Sequence, residues 1–258
     1  MNGAFYNEID PYCAQWLRNL IDAGHIAPGV VDERSIEDIA PNELREYTQV
    51  HCFAGIGVWS YALRLAGWPD DRPVWTGSCP CQPFSSAGKG HGFADERHLW
   101  PAWHHLIREC RPSVVFGEQV ENAITHGWVD LVATDLESCG YAFGAIGVPA
   151  AAVSDHSRER VWFVADADLP IENQWAPSGE QSLCHQDART SDRSNVRLIR
   201  CSDGLVRAAE PGAQPLAHGI AKRMDKLRAY GNAINAEVAA AVIGAYMQRG
   251  EAVMEQAA

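Results

Sequence analysis

The feature that most narrows the fold of this chain is a recurring unit. A short apolar run ends at an acid or a tight turn and gives way to helical periodicity. Ala4-Phe5-Tyr6-Asn7 ends in Glu8-Ile9-Asp10. Asp10 can cap a helix whose first position suits Pro11. Tyr12, Trp16, Leu17, Leu20 and Ile21 then recur at helical spacing, and Gly24 marks the stop. Gly29-Val30-Val31-Asp32 is a second, weaker strand ending in an acid, and Ser35-Ile36-Glu37-Asp38-Ile39 leads into a loop at Pro41. Thr48 to Cys52 runs into Phe53-Ala54-Gly55-Ile56-Gly57, whose glycines let the backbone approach a ligand and turn into a helix from Trp59 to Ala66. Further strands are predicted at Val74-Trp75-Thr76, Pro112 to Gly117, Tyr141 to Val148 and Val161 to Ala165. Helices are predicted over Leu99 to Cys110, with Trp100, Trp103, Leu106 and Ile107 inward, and over Trp128 to Cys139. Strands alternating with helices in this way give an α/β fold, a doubly wound, mostly parallel sheet.

From Asp166 the periodicity stops. Up to about Lys226 the chain is polar and rich in Ser, Gln, Pro and Arg, which reads as a small loop-rich insert. A long helix opens after Tyr230-Gly231-Asn232-Ala233-Ile234, with Val238, Ala241, Val242 and Tyr246 inward, an end at Gly250 and a frayed tail. The expected organisation is residues 1–165 plus 228–258 as one domain and 166–227 as a second, small region.

Composition bounds the partners. A net charge of −12 argues against a chain that simply coats nucleic acid, but a local patch is enough for an enzyme. Arg189, Arg193, Arg197, Arg200 and Arg207 face only Asp192 and Asp203 in their stretch, a local charge of +3. No apolar run approaches a membrane span. The start lacks the basic and apolar regions of a secretory signal. The eight cysteines show no disulfide framework, so they read as reduced and the chain as cytoplasmic.

The nucleophile candidate is Cys81, in Cys79-Pro80-Cys81-Gln82-Pro83-Phe84-Ser85. Two prolines make this a turn at the carboxyl end of a strand, where open α/β sheets bind ligands, and a thiol there can attack one. A buried structural cysteine is the plain alternative. Ser86 to Gly92 is a glycine-rich loop with one cation, Lys89, suited to closing over a substrate. Glu118, at a strand end beside an apolar turn, can carry a proton. Arg158 and Arg160 alternate before a strand and point to one face, where they can hold a carbonyl or phosphate. His91, His98, His104 and His105 with Cys79 and Cys81 match no tetrahedral pattern, so no metal is expected. The single residue between Cys79 and Cys81 argues against a thiol redox pair.

In their order, these segments resemble the C5-cytosine DNA methyltransferases. The likeness rests on Phe53-Ala54-Gly55-Ile56-Gly57, Pro80-Cys81-Gln82-Pro83-Phe84-Ser85, Arg97-His98-Leu99, Glu118-Gln119-Val120, His156-Ser157-Arg158-Glu159-Arg160 and Gly231-Asn232-Ala233-Ile234. It spans nearly the whole chain outside the insert. The chain departs from the family at Gln119, usually Asn, at His156, usually Gln, and at Val58, often Gly. It departs also in order. The family's ribose and adenine acids follow the glycine loop, yet only 16 positions, Val58 to Pro73, separate that loop from the next strand. Glu8-Ile9-Asp10 and Val31-Asp32 look like the missing units, so the second and third cofactor strands are expected to precede the first. Truncation with loss of half the cofactor site is the competing view.

The resemblance implies a Rossmann-like fold that binds S-adenosylmethionine and methylates C5 of a cytosine flipped out of double-stranded DNA. Cys81 would add to C6, Glu118 would contact N3 and the exocyclic amine, and Arg158 and Arg160 would orient the ring carbonyl and Glu118. The cofactor would meet Phe53, Ala54, Gly55, Ile56, Gly57, Glu8, Ile9, Pro80, Leu99, Asn232 and Ala233, with Asp32, or alternatively Asp38, at the adenine. Gln82, Ser85, Lys89, Arg189, Arg193, Arg197 and Arg200 would meet DNA, the insert reading the target through the major groove. A phage or host monomer that protects DNA from restriction fits family habit. A non-catalytic DNA-binding relic and an RNA cytosine methyltransferase are the alternatives.

Overall fold

Asp10 explains the first corner of the fold. Its side chain accepts from the N–H groups of Tyr12 and Cys13, at 2.9 and 3.1 Å, and so starts a helix immediately after a strand. The computed structural model describes residues 2–80, 99–120, 127–149, 159–168, 197–200, 206–209 and 233–256. The strands are β1 (Asn2–Asn7), β2 (Gly29–Asp32), β3 (Tyr47–Cys52), β4 (Val74–Gly77), β5 (Val114–Val120), β6 (Ala142–Pro149), β7 (Glu159–Asp166), β8 (Arg197–Arg200) and β9 (Val206–Ala209). The helices are α1 (Pro11–Asp22), α2 (Pro41–Leu44), α3 (Val58–Leu65), α4 (Trp100–Cys110), α5 (Trp128–Ser138) and α6 (Ala236–Gln256).

Seven strands form one sheet in the order β2-β1-β3-β4-β5-β7-β6. The first five are parallel, and β7 runs antiparallel to both β5 and β6. The mostly parallel α/β sheet expected from the strand–helix alternation is therefore present. β1 lies directly beside β3, with Phe5 opposite Val50, and β2 lies outside β1. The two amino-terminal units thus extend the sheet on the far side of the strand that leads into the glycine loop. Each parallel unit adds to an edge by its own ladder, so chain order and spatial order need not agree.

One face of the sheet packs Trp100, Trp103, Leu106 and Ile107 of α4 with Trp128, Val132 and Leu136 of α5. The other packs Trp59 and Leu63 of α3 with Val238, Ala239, Val242 and Ile243 of α6. Val238 and Val242 of α6 are buried and Tyr246 is packed against the core as the sequence reading had them, with one residue misplaced. Ala241 is exposed, and Ala239 and Ile243 are inward instead. The helix also runs past Gly250 to Gln256, since an interior glycine costs only about 1 kcal/mol and need not end a helix. β5 continues past Gly117 to Val120 because β7 supplies ladder partners for Glu118, Gln119 and Val120.

The chain divides into two compact units, Met1–Pro177 with Ala229–Ala258, and Ser178–Arg228. Within the second, β8 and β9 pair antiparallel, Arg197 opposite Ala209, a hairpin that the reading of a loop-rich insert did not specify. Among the described residues no helix is long and apolar enough to cross a membrane.

Two glycines at matched register shape the middle of the sheet. Gly77 faces Gly117 across the β4–β5 ladder. A methyl at Gly77 would run into the Trp103 ring, and one at Gly117 into the Phe163 ring. The absent side chains let these aromatics lie against the strands close to the ends that carry the site. Gly117→Ala is therefore expected to lower unfolding free energy by about 1–3 kcal/mol through overpacking, measured by denaturant titration. Unchanged stability would show that the Phe163 ring can move aside.

Candidate active site

The carboxyl ends of β1, β2 and β3 are cross-linked at one rim of the sheet, where open α/β sheets hold a ligand crevice. Ala54 N–H donates to the Asn7 carbonyl at 2.9 Å, and Glu8 N–H to the Asp32 carbonyl at 3.0 Å. The Asn7 side chain, 3% exposed, donates to the Arg34 carbonyl at 2.8 Å. Glu8 then joins β1 to the glycine loop. One carboxylate oxygen accepts from Gly55 N–H at 2.7 Å, the other from Asp10 N–H at 2.9 Å. Burial is the main influence on this carboxyl and pushes it above its ordinary range, against the two N–H bonds that favour the ionised form.

The glycine loop has the backbone such a crevice needs. Gly55 and Gly57 take φ of 56° and 83°, and Leu17 and Ile26 crowd the place a Gly57 side chain would fill. Phe53 also lies in the left-handed region, at φ 53°, which for a bulky residue costs roughly 1–2 kcal/mol. Its ring meets Trp103 edge-on at 5.9 Å. Such outliers concentrate where function requires them. Ile9, beside Glu8, is 65% exposed, an apolar side chain left open at the crevice. Ala54 is buried; Leu99 is half-buried at the start of α4, packed against the core, and Pro80 is exposed.

Asp32 does not stand open. The Arg34 guanidinium bonds both its oxygens, at 3.0 and 2.7 Å to one and 3.1 Å to the other, and the Arg34 N–H adds a bond at 2.8 Å. Burial alone would raise this carboxyl, but the Arg34 bonds outweigh it and hold it below the usual range. Arg34 also reaches Glu43 at 2.7 Å and the Asp38 carbonyl at 3.3 Å. The Asp38 carboxylate, on the 3-10 turn Ile36–Asp38, is exposed.

The second half of the site lies across β4, β5 and β7. Glu118 and Arg160 pair at 2.6 Å between adjacent antiparallel strands, with side chains 8% and 16% exposed. Arg160 stands opposite Val120, two positions along from Glu118, so both side chains project from one face. A buried pair of this kind contributes little net stability, yet losing one member is costly, about 3–5 kcal/mol. Its retention therefore points to use. β4 ends at Gly77 and leads through Ser78 and Cys79 to the Cys81 turn. The Cys79 carbonyl accepts from the Gln119 side chain at 3.2 Å, and Ser78 Oγ from the Trp59 indole at 3.1 Å.

Cys81, Gln82, Ser85, Lys89, the rest of the glycine-rich loop, Arg158, Arg189, Arg193 and Asn232 lie outside the described residues, and of Arg197 and Arg200 only the β8 backbone is described. Ala233 is half-buried just before α6, which Asn235 caps through Glu237 N–H and Val238 N–H at 2.9 and 3.0 Å. Among the described residues no group of His, Cys, Asp and Glu could hold a metal ion. The sequence reading missed Asn7, Arg34, Trp59 and Ser78. Asn7 had one signal, a polar residue closing an apolar run. Arg34 had another, its place two residues after an acid, where a side chain readily turns back on its neighbour.

A profile of the family described as C-5 cytosine-specific DNA methylase matches residues 66–197. Type II methyltransferase M.HhaI of Haemophilus parahaemolyticus is 31% identical over 115 residues, 40% of this chain and 33% of that protein. Type II methyltransferase M.AluI of Cellulosimicrobium cellulans is 36% identical over 94 residues, 34% of this chain and 17% of that protein. The matched segments thus span a third or less of each relative. The solved methyltransferase EhMeth of Entamoeba histolytica aligns at TM-score 0.45 and 15% identity, over 66% of this chain and 46% of its own.

The raised Glu8 carboxyl gives a signed pH dependence. Below the unfolded-state pKa, near 4.5, the group is protonated in both states and its burial carries no ionic penalty. As pH rises through the higher folded-state pKa, stability is lost. The unfolding free energy of the protein minus that of Glu8→Gln should therefore fall as pH climbs from 4.5, measured by denaturant melts across the carboxylate range. A flat or rising difference would contradict this reading of Glu8.

Proposed function

Because the chain belongs to the C-5 cytosine-specific DNA methylase family, we propose that it methylates C5 of cytosine in double-stranded DNA through a covalent Cys81 adduct. The observation that carries this reading is the buried Glu118–Arg160 pair, formed between β5, which adjoins β4, and β7 on the far side of β5, with the carboxyl end of β4 leading to Cys81. The Cys81 thiolate adds to C6 and opens the aromatic ring to reaction at C5. Glu118 stabilises the ring at N3 and the exocyclic amine. Arg160, joined by Arg158, fixes the Glu118 carboxylate and the ring carbonyl. Once C5 has taken the methyl group, loss of its proton to solvent expels the thiolate from C6 and restores the aromatic ring. A duplex base meets these groups only when flipped out, at a cost of a few kcal/mol.

The first crevice suits S-adenosylmethionine, which supplies the methyl group as an electrophile. Glu8 has acceptor oxygens for a ribose diol at a strand end. Phe53 and the open Ile9 offer apolar surface to an adenine, and Gly55 to Gly57 admit a close backbone approach. Of the two acids considered for the adenine amine, Asp38 is the better candidate, because Arg34 occupies both oxygens of Asp32. Pro80, Leu99, Asn232 and Ala233 complete the proposed cofactor set. Residues 166–227 are assigned to target recognition, with Arg189, Arg193, Arg197 and Arg200 meeting DNA together with Gln82, Ser85 and Lys89. Similarity to type II methyltransferases supports a role in marking DNA against restriction.

Random duplex DNA carrying 5-fluorocytosine tests the reaction directly, since fluorine at C5 blocks the final elimination. With S-adenosylmethionine the protein should form a band that survives a denaturing gel. Cys81→Ala should abolish it, and Glu118→Gln should slow it about 100-fold or more. Absence of an adduct with wild-type protein would contradict the proposal.

A further inference from the structure

The stem of the Cys81 turn is held from two sides by buried side chains. From β5, the Gln119 amide, 2% exposed, donates to the Cys79 carbonyl at 3.2 Å, and its own oxygen accepts Val120 N–H at 2.9 Å. β4 and β5 pair up to Gly77 and Gly117, so this side chain continues the β4–β5 connection two residues past the last ladder partners. From α3, the Trp59 indole, 3% exposed, donates to Ser78 Oγ at 3.1 Å. Trp59 is fixed in turn by stacking on Phe116 at 6.3 Å and by an edge contact with Trp162 at 5.5 Å. It is the second residue of the helix that begins at the glycine loop. Gln119 directly follows Glu118. The two bonds therefore join the residues just before Cys81 to the proposed cofactor loop on one side and to the proposed acid on the other.

We propose that Gln119 and Trp59 are positioning residues that clamp Ser78-Cys79 and so set where Cys81 is presented, an inference that rests on the methyl-transfer reading above. Length matters at position 119. Asparagine is shorter by one methylene, roughly 1.5 Å, and from the same backbone it falls outside hydrogen-bond range of the Cys79 carbonyl. The glutamine, where the family usually has asparagine, is the residue that reaches. A nucleophile must meet its carbon at close to 3–3.5 Å, and a displacement of about 1 Å can slow reaction on the order of 100-fold. Loosening the stem should therefore act on the rate of adduct formation and leave cofactor affinity alone.

The variants are Gln119→Asn and Gln119→Met, which lose the reach or the donor, and Ser78→Ala and Ser78→Thr, which lose or keep the hydroxyl. Each is compared with wild type in adduct formation on 5-fluorocytosine duplex DNA, S-adenosylmethionine affinity by calorimetry, and alkylation of Cys81 by iodoacetamide without DNA, read by peptide mass spectrometry. The clamp predicts that adduct formation slows about tenfold or more in Gln119→Asn, Gln119→Met and Ser78→Ala. Cofactor affinity stays near wild type, Cys81 alkylation rises several-fold, and Ser78→Thr behaves as wild type. Wild-type adduct rates in all variants would overturn it. If wild type itself forms no adduct, the methyl-transfer reading fails, and alkylation alone decides the clamp. A several-fold rise then upholds it, and wild-type alkylation rates overturn it.

Discussion

The hydrogen bond from Gly55 N–H to the Glu8 carboxylate, 2.7 Å long, is the point on which the first half of the site depends. It joins two segments 47 positions apart in the chain because β1 lies against β3 in the sheet. The parallel register brings the end of β1 level with the start of the glycine loop. A carboxylate there neutralises a loop N–H that a left-handed turn would otherwise leave pointing into the crevice. The same carboxylate keeps lone pairs for a ligand. Around this bond, Asn7, Asp32 and Arg34 fix the neighbouring strand ends through hydrogen bonds of the protein itself. Preorganised polar groups of this kind cost no rearrangement on binding.

The second half of the site is built by antiparallel pairing. β7 extends β5 beyond the reach of β4, and that extra length carries Glu118 and Gln119, with Arg160 on β7 opposite Val120. Sheet geometry then distributes the side chains. Glu118 and Arg160 emerge on one face and meet, while Gln119 turns to the other and reaches the Cys79 carbonyl. The Trp103 ring of α4 rests on Gly77, and the Phe163 ring of the neighbouring strand β7 rests on Gly117. The proposed cofactor crevice, the strand that carries Glu118 and the Ser78-Cys79 stem thus share one sheet, and small displacements in one have a direct route to the others.

Much of this was legible in the sequence because the signals were local. Asp10 followed by Pro11 wrote the α1 start, apolar runs wrote all seven strands of the sheet, and Trp100, Trp103, Leu106 and Ile107 wrote the buried side of α4. That β1 and β2 stand for the family's second and third cofactor units was implied by the resemblance, because Val58 to Pro73 leaves no room for two units after the glycine loop. What was not legible depended on pairing over long separations. That β5 runs through Glu118 requires β7 beside it. That Arg34 occupies Asp32 requires the chain to fold back after β2. The inward face of α6 was misphased at Ala241, since alanines satisfy either side and only packing against α3 fixes the rotation. Trp59 was read only as the start of a helix and Gln119 only as a departure from the family; the sheet brings both to the same two-residue stem.

The central claim is that the amino-terminal units complete a cofactor crevice whose keystone is Glu8. The most direct measurement is titration calorimetry of S-adenosylmethionine into the full chain and into Glu8→Ala. Wild type should bind, and the variant should bind about tenfold more weakly or worse, as expected when a charged hydrogen-bonding group worth about 1.5–3 kcal/mol is removed. Equal affinities, or no binding by wild type, would contradict the account.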